Sequence, residues 1–297
     1  MDEATLAIGR SAATALFDIG FATMVGALAT LALLRDTTSD WAVRGARRSR
    51  TLFVRANLLA LAAGLAWMWL QAIALTELAP ADALPAIGSI VVDTGFGRAW
   101  AVAALALAAC LAIALATRYR PAPLRALGGA TTLAAVAHAC AGHAGANGFG
   151  WRVPATTVHL LAAGLWAGAV FAAVLAVPGD ASNAIDGERY ARRLSALATA
   201  ALAGVVATGA ASAWHGLGGS LAPLAPASGS TWGATLAVKL ALVALALALG
   251  GYNRFAALPA LPGSWRRFVA VLRIEAVVLL AVLAAAAWLG DGAPPAV

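Results

Sequence analysis

Charge is what this chain has least of. Asp, Glu, Lys and Arg make up 11% of its 297 residues, against 62% hydrophobic residues. Soluble domains carry about a quarter charged residues, so this composition excludes a soluble domain of the same length. Cysteine is nearly absent as well, with two in all, which rules out a disulfide framework. Cys110 falls deep in one apolar segment and Cys140 near the end of the next. Their depths differ by about 10 Å at a rise of about 1.5 Å per residue, so no bridge between them is expected. Also missing are a phosphate-binding glycine loop, a Ser-His-Asp order and a His-Glu-x-x-His zinc motif. No enzyme is expected, and no nucleotide-driven transport by this chain alone. The N-terminal flank, Met1-Asp2-Glu3, lacks the basic residues of a cleaved signal peptide, so the first apolar segment reads as a retained helix.

What fills the chain is long apolar runs. A membrane-spanning helix needs about 20 predominantly apolar residues. Eight segments qualify, at about 13–34, 53–75, 98–117, 125–145, 154–177, 194–216, 233–252 and 269–290. They are continuous rather than alternating, and rich in Ala and Leu, which favours helices over a β-barrel. The expected fold is all-α: a polytopic bundle of eight transmembrane helices in a lipid bilayer, one domain over 1–297. Punctuation agrees. Pro121 and Pro123 precede the fourth segment, Pro154 opens the fifth and Pro178-Gly179 closes it, while prolines and glycines over 217–232 mark an irregular connection. Gly164 and Gly168 form a small-xxx-small pair that lets another helix approach closely. Trp41, Trp100, Trp151, Trp232, Trp265 and Trp288 fall near segment ends and read as an interfacial belt.

The net charge of +7 could suggest nucleic acid, but its distribution argues against it. Alternate connections hold 16 of the 20 basic residues: Arg35 to Arg55, Arg118 to Arg125, Arg189 to Arg193, and Arg254 to Arg273. Cytoplasmic connections collect Arg and Lys, so both termini are expected in the periplasm of an inner-membrane, multi-pass protein, with no nucleic-acid partner.

The four histidines all fall toward the periplasmic side of three segments. His143 and His215 stand at outer ends. His138 lies about two turns, and His159 about one and a half turns, inside. Imidazole suits copper, zinc, iron and nickel. Two imidazoles at a rim and two below form a funnel, in which His143 and His215 would capture a metal and His138 and His159 would hold it. Met68 is a candidate soft ligand, as are Met24 and Cys110; ordinary packing is the simpler reading of all three. Three ionisable residues inside the apolar segments, Asp18, Lys239 and Glu275, are costly there by about 2.5–3.5 kcal/mol each at the membrane centre. Asp18 and Lys239 match in depth and could pair. Arg55 and Arg254 are the better-placed partners for Glu275.

At these positions the chain resembles the CopD family of bacterial copper-resistance membrane proteins. His159, Trp166 and Gly168 look like the family's helix of a histidine followed by Trp-x-Gly. Trp232, Gly233 and Lys239 resemble its Tyr-Gly…Lys segment, Asn253-Arg254 its Asn-Arg, and Arg273 with Glu275 the Arg-x-Glu of its last helix. Gly142-His143-Ala144 resembles its Gly-His-Ala. These motifs cover about 140–290; the N-terminal half matches only in helix count and hydropathy. Trp232 replaces the usual Tyr, and Val158 stands where an acidic residue often precedes the histidine, removing a partner that would orient the imidazole. The resemblance implies copper as the ion handled, moved from periplasm to cytoplasm, and a periplasmic copper-binding protein as partner. Two other readings compete: a haem-binding membrane cytochrome, which needs two axial histidines, and a non-transporting membrane scaffold whose histidines only satisfy hydrogen bonds.

Overall fold

The computed structural model describes residues 2–118, 120–142, 145, 150–177, 184–216, 231–261, 263 and 265–291. Among them every regular element is helical. The helices are α1 (Glu3–Leu34), α2 (Asp40–Thr76), α3 (Ala86–Asp93), α4 (Gly95–Ala116), α5 (Leu124–Ala141), α6 (Arg152–Leu175), α7 (Ala184–Gly216), α8 (Thr231–Tyr252), which runs into a π-helical turn (Asn253–Ala257), and α9 (Trp265–Asp291).

Seven of these helices are long and apolar enough to cross a membrane: α1, α2, α4, α6, α7, α8 with its π turn, and α9. The fourth expected segment forms α5, whose 18 residues span about 27 Å. Arg125, Gly128, Gly129 and His138 dilute its apolar character, and it is not among the seven. It nevertheless packs inside the bundle, against α1, α4 and α6.

Several helices outrun their apolar segments. α1 starts at Glu3 because Asp2 caps it, accepting from the Thr5 amide at 2.7 Å. α2 starts at Asp40, capped by Ser39, so Arg44, Arg47, Arg48 and Arg50 lie on a helix rather than in a connection. Arg50 donates to the carbonyls of Thr117 (2.6 Å) and Arg120 (2.7 Å). It thereby brings a positive charge to the C-terminal end of α4, where it suits the helix dipole. α3 was not foreseen as a helix. It packs with Met68, Ala72 and Ile73 of α2, and the Trp69 indole donates to the Pro80 carbonyl at 2.9 Å.

α1 is the centre of the bundle, packing against α2, α5, α6, α7 and α9. Small residues make this possible. A Cβ on Gly20 would stand 2.7 Å from the Ala60 amide nitrogen and 2.9 Å from the Ala56 carbonyl oxygen of α2. On the opposite flank, a Cβ on Gly26 would collide with the Gly168 carbonyl, and one on Gly168 with that of Ala22. The close approach expected of Gly164 and Gly168 is therefore made to α1. One apolar core joins α1, α2, α4 and α5, and another joins α1 and α6 to the C-terminal helices. Trp41 and Trp265 belong to the second core, with 2% and 9% exposure, rather than to an interfacial belt. Trp151 and Trp288 are exposed, as a belt requires. Cys110 and Cys140 are both free thiols.

Candidate functional site

A cavity of about 790 Å³ opens between α1, α2, α4, α5 and α9. It is lined by the N-terminal half of α1, the C-terminal half of α2, the N-terminal half of α4 and the C-terminal ends of α5 and α9. Because these helices alternate in direction, those portions share one side of the bundle. The arginine-rich ends lie on the other side.

The polar groups of the cavity come mainly from α1. Arg10, Thr14 and Asp18 line it together with Phe17, and their spacing of four and eight residues puts them on one stripe of a helix. Arg10 and Asp18 differ in depth by about 12 Å. The Arg10 guanidinium donates to Gln71 Oε1 of α2 at 3.4 Å, while its Nε is buried without a partner among the described residues. Phe96, Trp67 and Trp100 add aromatic walls. His138 faces the α1 stripe: its ring stacks on Phe17, centroids 4.6 Å apart and planes 13° from parallel. That contact sets His138 at the depth of Asp18, and both line the cavity.

His159 goes elsewhere. It is not a lining residue of this cavity; its Nδ1 lies 2.9 Å from the Thr208 hydroxyl of α7. That hydroxyl donates to the Gly204 carbonyl at 2.6 Å, which uses its only hydrogen. The Thr208 hydroxyl thus ties the His159 ring to α7. An orienting partner thus reaches the imidazole from α7, although position 158 is an exposed valine. Lys239 lies within electrostatic reach of both Asp18 and His159.

His143 and the His215 side chain, two of the four expected imidazoles, lie outside the described residues. Among the described residues no group of three or more His, Cys, Asp or Glu side chains is placed to hold a metal. Met68 is fully buried with Ala72, Ile73, Ala83 and Ile90, and Met24 and Cys110 are fully buried in the core of α1, α2, α4 and α5, so packing accounts for all three. Glu275 is 3% exposed, and its carboxylate lies over Gly250, 3.2 Å from where a Cβ would stand. Arg254 is engaged by Ser195 and Thr199 of α7 instead of by Glu275. Arg10 and Gln71 were missed in the sequence. The signal that could have found them is the polar stripe 10–14–18 in an otherwise apolar helix.

Two family models match the chain. The model for the copper resistance protein D-like N-terminal domain matches residues 5–153, and that for copper resistance protein D matches residues 188–289. The chain belongs to the copper resistance protein D family. The N-terminal model covers α1 to α5 and the elements that form the cavity on four of its five sides. Family membership thus extends to the half that hydropathy alone had suggested, and it makes this a copper-related, multi-pass membrane protein. No curated protein and no solved structure gives a significant match to the chain.

Proposed function

We propose that the protein is a non-enzymatic copper carrier of the inner membrane that admits copper from the periplasm and passes it toward the cytoplasm. The chain acts as one transmembrane unit of eight crossings, with α5 as the short eighth and both termini in the periplasm. The observation that carries this reading is the meeting of His138 with the polar stripe of α1 in a cavity on the side away from the arginine-rich ends. Arginine collects on cytoplasmic ends, so the cavity is the periplasmic mouth. Imidazole and carboxylate are ligands that suit Cu(II), and the thioethers and the buried thiol that would favour Cu(I) are committed to packing. Copper is the cargo; His138 and Asp18 are its first protein ligands. His159 receives copper after the cavity, and His143 and His215 are the further imidazoles that capture it from the periplasm. Lys239 balances Asp18 while the cavity is empty. A periplasmic copper-binding protein delivers the metal.

The test is equilibrium copper binding by detergent-purified protein. His138→Ala and Asp18→Asn should each weaken binding by at least about tenfold, since even residues that only orient a metal ligand are worth about 10–100-fold. Unaltered affinity in both variants would defeat the assignment.

A further inference from the structure

The cavity is far larger than its proposed cargo. A copper ion with a few ligands fills a small fraction of about 790 Å³, whereas pockets of about 300–1,000 Å³ hold whole organic ligands. Its walls carry a pattern that a bare ion does not need. The Arg10 guanidinium stands at the rim, held by Gln71. Aromatic rings of Trp67, Phe96 and Trp100 line the middle, and His138 with Asp18 line the floor. A cation at the mouth repels a free dication approaching the floor. The same cation attracts a carboxylate, which a planar guanidinium binds through two parallel hydrogen bonds. A lipid chain is a poor occupant, because it would leave a guanidinium, a carboxylate and an imidazole facing hydrocarbon.

We infer that the cavity takes copper(II) as a complex with a small, flat organic chelator bearing a carboxylate. This rests on the copper reading above and adds the form in which the metal arrives. The chelator's carboxylate keeps one oxygen free of the metal, and the metal-bound oxygen keeps a lone pair, so both can accept from the Arg10 fork. Its apolar body lies among the aromatic rings, and the copper is presented to His138 and Asp18. The chelator's negative charge lowers that of the metal, so the complex meets less repulsion at Arg10 than the free ion does.

Picolinate, an aromatic carboxylate that chelates copper, is a suitable probe. Detergent-purified full-length protein is dialysed against copper(II) in a non-coordinating buffer, with and without picolinate, and both copper and picolinate retained are measured. The inference predicts that picolinate raises the copper retained and is itself retained with it. Arg10→Met should lower the ratio of complex to free-ion binding by about tenfold. Arg10→Lys, which keeps the charge but loses the fork, should lower it partway, and it carries the test if methionine at position 10 prevents assembly. Copper retention that falls as picolinate removes free ion, or a ratio that neither variant moves, overturns the inference while leaving a copper site in place. A wild-type protein that retains copper in neither form overturns the copper reading, and this inference with it.

Discussion

At the scale of single residues, the chemistry rests on a few polar groups in apolar surroundings. An unpaired polar group is expensive there, so each of them reveals itself through its partner. His138 lies on Phe17, His159 bonds Thr208, and Asp18 is within reach of Lys239. A neutral imidazole is required to ligate a metal, because protonation removes the lone pair. Copper binding should therefore be full near pH 7 and be lost in acid once the imidazole protonates. Copper titrations at stepped pH on the wild type and His138→Ala check this; a pH profile that the substitution leaves unchanged would remove the His138 imidazole from the site. The residue types were legible in the sequence, since histidines and charges inside apolar runs stand out. Their grouping was not. Depth along a helix follows from the residue number, but His138 and His159, close in depth, face different neighbours. Only the rotation of α5 against α1 and of α6 against α7 decides that.

At the scale of helices, close packing by small residues holds the bundle around α1. A methyl group at Gly26 or Gly168 would collide with the backbone of the facing helix, whereas one at Gly88 meets nothing within 4 Å. Overpacking costs about 1–3 kcal/mol, occasionally more. Gly26→Ala and Gly168→Ala should each destabilise the detergent-solubilised protein by at least that amount, and Gly88→Ala should leave its thermal unfolding unchanged. The Gly164–Gly168 pair was readable from its spacing; that α1 is its partner was not, because spacing names no partner. Helix ends were read poorly for a related reason. Hydropathy marks where a helix leaves the membrane, not where it stops. Capping by Asp2 and Ser39 extends α1 and α2 through polar sequence, and the arginines of α2 are good helix formers.

At the scale of the whole molecule, the all-helical membrane fold followed from composition, because long apolar runs in a bilayer must satisfy their backbone internally. The number of crossings was harder, since α5 carries glycines, an arginine and a histidine in 18 residues. Eight crossings put both termini on the same side of the membrane, whereas seven would separate them. Reporter tags on each end, probed with a membrane-impermeant label in intact spheroplasts, should both react; labelling of one end alone would remove α5 from the count of crossings and reverse part of the arrangement. The central claim concerns one place, the floor of the cavity between α1 and α5. Its most direct test is anomalous scattering at the copper edge from crystals of the protein soaked in copper(II). The account predicts a peak within bonding distance of His138 and the Asp18 carboxylate. A peak elsewhere with that floor empty, or no peak from a protein shown to retain copper in solution, would contradict it.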